Sequence, residues 1–137
     1  NTGGQVSKAS PLRANIPLSF GGKKQQKKPL AKILSLYENV YVATINPLAK
    51  PQQTLRALKE ATQHDGPSVV FSYIPCKAQG IRTQDSRKQA LLASNSGYWP
   101  LYQGHPQKGL KKTNNAPSSS IEELFSSEKR FLIHKNN

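Results

Sequence analysis

The sequence has one cysteine, Cys76, no methionine, few acidic side chains and no long apolar run. A lone cysteine excludes an internal disulfide framework and suits a reducing compartment such as the cytoplasm. It also argues against structural zinc, because His64, His105 and His134 are scattered and no close ligand pairs exist. No stretch approaches the roughly 20 apolar residues needed to cross a bilayer, and the first residues lack the charged-then-apolar pattern of a secretory signal. The chain is therefore expected to be soluble. With Asn1 in first place and no Met anywhere, it is expected to be a piece of a longer chain.

Apolar side chains are also scarce. They make up 35% of the 137 residues, below the roughly 45–50% of ordinary globular chains, although that benchmark also counts glycine. A domain of this length buries only about two thirds of its unfolded surface, so one modest core is the ceiling. Against 7 acidic residues stand 20 lysines and arginines, for a net charge of +13. Such a balance makes an acidic partner electrostatically plausible. The charge is nevertheless spread along the chain, with Lys23, Lys24, Lys27 and Lys28 the main cluster, and no basic helix or aromatic stacking pattern accompanies it. A solvated basic surface is the plainer account, and nucleic acid is not the expected partner.

What is present alternates between strand and helix patterns. Residues 1 to 10 are loop-like in composition, and Pro11 to Lys28 shows little periodicity. Pro29 opens a short helix with Leu30, Ile33, Leu34 and Tyr37 on one face. Val40 to Ile45 is a nearly continuous β-branched and aromatic run, the pattern of a strand buried on both faces. Pro51 opens a second helix to about Gln63, with Leu55, Leu58 and Ala61 or Thr62 expected on its apolar side. Ser68 to Ile74 is the second strand of the buried type, ending at Pro75 directly before Cys76. A third helix is expected from Gln84 to Ser94 and a short strand from Tyr98 to Tyr102. Residues 107–119 read as a polar linker, and Ser120 with Glu123 as a capping box for a last helix through Leu124, Phe125, Phe131 and Leu132. The alternation predicts an α/β fold with a mostly parallel sheet and flanking helices.

In such sheets ligands gather beyond the carboxyl ends of the strands, and Cys76 lies at one of these ends. Its thiol could be a nucleophile, an iron or zinc ligand, or a small apolar filler. On composition alone the filler is the ordinary reading, since no histidine is marked by spacing as a catalytic base. Thr2-Gly3-Gly4-Gln5 and Gly21-Gly22-Lys23-Lys24 both miss the Walker pattern. A single cysteine can still be one corner of a cluster whose other ligands lie elsewhere.

Read in order, NTGGQVSKASPL, ENVYVATI, PQQTLRALKEA, GPSVVFSYIPC and SGYWPLY resemble the closing part of the thiamine-diphosphate domain of pyruvate:ferredoxin (flavodoxin) oxidoreductases. The resemblance covers roughly residues 1 to 104, with a weaker echo in the last helix. It implies an incomplete thiamine-diphosphate-binding fold: residues 1–106 as the C-terminal portion of that domain, 107–119 as linker, and 120–137 as a C-terminal helix and tail. It further implies that Asn1 lies beside the magnesium and diphosphate of the cofactor, close to the reacting carbonyl. Cys76 then completes a [4Fe-4S] cluster whose other three cysteines come from an earlier part of the parent chain. The implied reaction is oxidative decarboxylation of pyruvate or a related 2-oxoacid, with coenzyme A as acyl acceptor, ferredoxin or flavodoxin as electron acceptor, and a homodimeric enzyme. Alone, the chain is expected to be inactive. It departs from the family pattern at Lys77, Ala78, Gln79 and Gly80, where Ile-Asn-His-Gly is usual, at Glu38, where Gly is usual, and across Asn15 to Phe20, where Ala is usual. A non-catalytic basic binding or scaffold module that keeps the fold is the alternative.

Overall fold

The computed structural model describes residues 13–15, 24, 26–106, 108–114 and 116–131. In chain order the elements are α1 (Leu30–Leu34), β1 (Tyr41–Ile45), α2 (Pro51–Gln63), β2 (Ser68–Ser72), α3 (Ser86–Asn95), β3 (Tyr102–His105), β4 (Gly109–Lys112) and α4 (Ile121–Ser126). The α/β class is as the alternating pattern implies.

The four strands form one sheet in the order β2-β1-β3-β4. β1 and β2 are parallel, with Val42 opposite Val69 and Ile45 opposite Ser72, and α2 provides the crossover that a parallel pair requires. The expected parallel geometry therefore holds at this pair. On the other side of β1 the sheet turns antiparallel: β3 runs against β1 through Val42 and Ala43, and β4 folds back on β3 as a hairpin. A tight turn can join only antiparallel neighbours, so the hairpin makes the sheet mixed. β4 falls inside the polar stretch 107–119, and the third strand lies four residues later than the run Tyr98–Tyr102 suggested.

β1 is buried at all five positions. Tyr41, Ala43 and Ile45 pack with Ala57 of α2 on one face. On the other, Tyr73 joins Ala90, Leu92 and Ala93 of α3 and Leu124 of α4. α2 buries Thr54 and Ala57, while Leu55 and Leu58, expected on its apolar side, are 62% and 43% exposed. The stripe facing the sheet thus consists of the small residues, which let the helix lie close to β1 and place the leucines on a flank. α1 is a single short turn of helix that ends at Leu34 and buries none of its residues.

The last helix stops at Ser126, and Phe131 reaches the core through a turn in which its N–H donates to the Glu128 carbonyl, 3.0 Å. Ser120 caps α4, but by accepting from the Glu122 N–H at 3.1 Å, and Glu122, not Glu123, is the carboxylate that meets its hydroxyl. Hydrogen bonding to Ser120, first, and to the backbone holds the Glu122 carboxyl below its usual value.

Candidate functional site

Because β1 and β2 are parallel and in register, both chains leave the sheet at the same edge. Tyr73 extends the ladder by one bond, its N–H donating to the Ile45 carbonyl at 3.0 Å. Past it, Ile74 is exposed, Pro75 is partly buried, and Cys76 stands in extended backbone ahead of a 3-10 turn over Lys77–Gln79. The Cys76 carbonyl accepts from the Gln79 N–H at 3.0 Å, which closes the turn around it. Cys76 is a free, partly buried thiol at the carboxyl end of β2. Gly80 ends the turn with φ +87°, a left-handed conformation that suits glycine.

The end of β1 is held by a buried asparagine that sequence reasoning passed over. Asn46 is fully buried, and its amide N–H groups donate to the Ala90 carbonyl at 2.8 Å and to Ser94 Oγ at 2.9 Å, both on α3. Its Oδ1 accepts from the Ala49 N–H at 3.3 Å. The Trp99 indole N–H donates to the Ile45 carbonyl at 3.0 Å, and its ring lies 5.7 Å from that of Tyr73. A polar residue closing an otherwise apolar run, just before Pro47, was the available signal for Asn46.

Behind the Cys76 turn, α3 and α4 are joined by a second polar group that the sequence did not reveal. Glu128 is fully buried, accepting from Gln89 Nε2 at 2.6 Å and from Arg130 Nε at 2.5 Å. Ser127 Oγ donates to Gln89 Oε1 at 2.7 Å. Buried charge of this kind requires pairing, and these contacts supply it. Nearby, the Tyr73 hydroxyl is buried with no hydrogen-bond partner among the described residues. Burial, first, and the Glu128 charge push its pKa far up, while burial raises Tyr98 to about 12. An open groove of about 360 Å³ runs between the Gly80 loop and α4, lined by Arg82, Asp85, Lys88, Gln89 and Glu123 among others.

Asn1, the other expected site residue, lies outside the described residues, as do His134 and Leu132. Among the described residues no group of three or more His, Cys, Asp and Glu side chains could hold a metal ion. Cys76 fits a cluster as a single corner: a free thiol at a strand end, with every further ligand to come from elsewhere. No described helix is long and apolar enough to cross a membrane.

No family model matches the sequence. Individual proteins do. The pyruvate-flavodoxin oxidoreductase of Rhodospirillum rubrum is 41% identical over 138 residues, which take in 97% of this chain and 12% of that protein. The pyruvate:ferredoxin oxidoreductase of Moorella thermoacetica is 37% identical over 141 residues, 98% of this chain and 12% of its own. The chain is a relative of the pyruvate-flavodoxin oxidoreductases. A further match, the mitochondrial pyruvate dehydrogenase [NADP(+)] of Euglena gracilis, is 34% identical over the whole chain but only 8% of its length. The chain therefore spans about an eighth or less of the curated oxidoreductases it matches.

Proposed function

We propose that these 137 residues are the C-terminal portion of the thiamine-diphosphate domain of a pyruvate oxidoreductase. That enzyme decarboxylates pyruvate oxidatively, passes the acetyl group to coenzyme A and reduces flavodoxin or ferredoxin in a reducing compartment. One observation carries the reading: a match along nearly the whole chain to enzymes of that name. The position of the single free thiol at the carboxyl edge of the parallel strands supports it.

In this reading Cys76 is one of four cysteine ligands of a [4Fe-4S] cluster, and Asn1 contributes to the binding of thiamine diphosphate and its Mg2+. Held there, thiamine diphosphate would supply an electron sink for decarboxylation and the cluster would supply one-electron redox chemistry. This chain's own contribution is positional. The ladder bond at Tyr73, the closed turn after Cys76 and the left-handed Gly80 fix where the thiol stands relative to β1. Asn46 pins the neighbouring strand end to α3, and Trp99 holds it from the segment that follows that helix.

The test is Cys76→Ser in the full-length oxidoreductase. Loss of about four irons per chain and of one reduced-cluster electron paramagnetic resonance signal is expected, together with loss of pyruvate-dependent flavodoxin reduction. Unchanged iron content and spectra would remove Cys76 from the ligand set.

A further inference from the structure

β2 is the last strand of the sheet, and no described residue pairs with its outer side. Its alternation can be read from two bonds: Tyr41 N–H donates to the Pro67 carbonyl at 2.9 Å and Tyr73 N–H to the Ile45 carbonyl at 3.0 Å. The amides of Val69, Phe71 and Tyr73 therefore face β1, and those of Ser68, Val70 and Ser72 face outward. An outward row of donors and acceptors on an edge strand is a template for another strand. The composition of β2 belongs to an interior position, because Val69, Val70 and Phe71 are consecutive and apolar on both faces.

α2 gives the same indication. The helix turns about 100° per residue, so with Thr54 and Ala57 against the sheet, Glu60 and Leu58 fall on opposite flanks. Glu60 accepts from Gln103 Nε2 of β3 at 3.0 Å, which assigns its flank to the β3 side. Leu55 and Leu58 then overhang the free side of β2, where they are exposed. Ile74, 76% exposed, stands at the end of the same strand. Open backbone, half-covered apolar side chains and overhanging leucines converge on one line.

We propose that this line is covered by a strand from the remainder of the parent oxidoreductase, pairing with β2 along Ser68–Ser72 and burying Leu55 and Leu58 from the side. The proposal rests on the functional reading above, which supplies the occupant: the matched relatives extend over roughly seven times this chain's length beyond the matching segment, since it is 12% of them. β2 thereby becomes an interior strand, and the edge carrying Cys76 continues into a wider sheet.

The experiment uses the full-length oxidoreductase that contains these residues. Site-resolved hydrogen exchange compares Val70, whose amide faces outward, with Phe71, whose amide faces β1. Protection of Val70 within about tenfold of Phe71 is expected; faster exchange of Val70 than that overturns the proposal. A photo-crosslinking residue in place of Ser68 identifies the neighbour. Linkage to a peptide outside the 137 residues of the same chain is expected. Linkage to residues 1–12, or to a second copy in an isotopically mixed sample, overturns it. Iron content and pyruvate oxidation of the same preparation report separately on the functional reading, so the two can fail independently.

Discussion

β1 and β2 have nearly the same kind of sequence and very different surroundings. VYVATI and SVVFSYI are both apolar on both faces, yet β1 is buried at every position while β2 is only half covered and its first and last residues are exposed. The difference lies in the neighbours: among the described residues β1 has a strand on each side, and β2 has one. Side-chain composition in a strand thus records the burial for which it was selected, and a shortfall between composition and observed burial marks where a neighbour belongs.

The broadest effect is expected at alkaline pH, because it acts on both cores. Tyr41, through burial first and the Glu60 charge second, is pushed up to about 12, and Tyr98 likewise by burial. Their folded values exceed the unfolded value near 10, so the folded state holds its protons more tightly between these limits. That stabilisation is complete below about pH 10 and is lost as pH rises toward 12. Circular dichroism and tyrosinate absorbance followed together should show ionisation and unfolding in one transition; ionisation of these rings with the fold intact would contradict it.

Among substitutions, the largest effect is expected at the pinned end of β1. Asn46→Ala leaves the Ala90 carbonyl and Ser94 hydroxyl without their buried donor and should cost about 2–3 kcal/mol by chemical denaturation. Next comes a matched pair. Val42→Ala in the fully buried strand should cost about 2 kcal/mol, and Val69→Ala, directly opposite it in β2, under about 1 kcal/mol in this chain. Equal losses in the 137-residue chain would erase the distinction between the strands. In the full-length protein the gap should close. A loss between those of the matched pair is expected at Gly80, where a Cβ would strain the left-handed backbone and lie 2.9 Å from the Lys129 side chain. Gly80→Ala should cost about 1 kcal/mol, read as a shift in thermal midpoint.

The parallel half of the fold was legible because its signals are local. Pro51 starts α2 and Asp65-Gly66-Pro67 separates it from β2, so periodicity and punctuation coincide. The hairpin was not legible, since Gln103, Gly104, His105, Lys111 and Lys112 carry no strand pattern. Gly104 is there because a Cβ would lie 2.9 Å from Leu110 and 3.3 Å from the Val42 carbonyl, a close approach that only the folded sheet defines. Likewise Leu55 and Leu58 looked like the core face of α2 because leucine is the commoner core residue. Contact with β1 instead selected Thr54 and Ala57, which are smaller. Of the candidate site, the strand-end position of Cys76 could be read from the run closed by Pro75. The buried Asn46 and Glu128 could not, because their partners lie 44 and 39 residues away in sequence.

Trp99 gives this edge an optical readout. It is the chain's sole tryptophan, and its indole N–H is tied to the last carbonyl of β1. Excitation at the red edge of the indole band, beyond tyrosine absorption, therefore interrogates one point in the molecule, the place where the two parallel strands leave the sheet. Release of that carbonyl would let water reach the indole and move its emission to longer wavelength. The strand end beside the Cys76 loop can thus be followed in real time and without a label, by fluorescence alone.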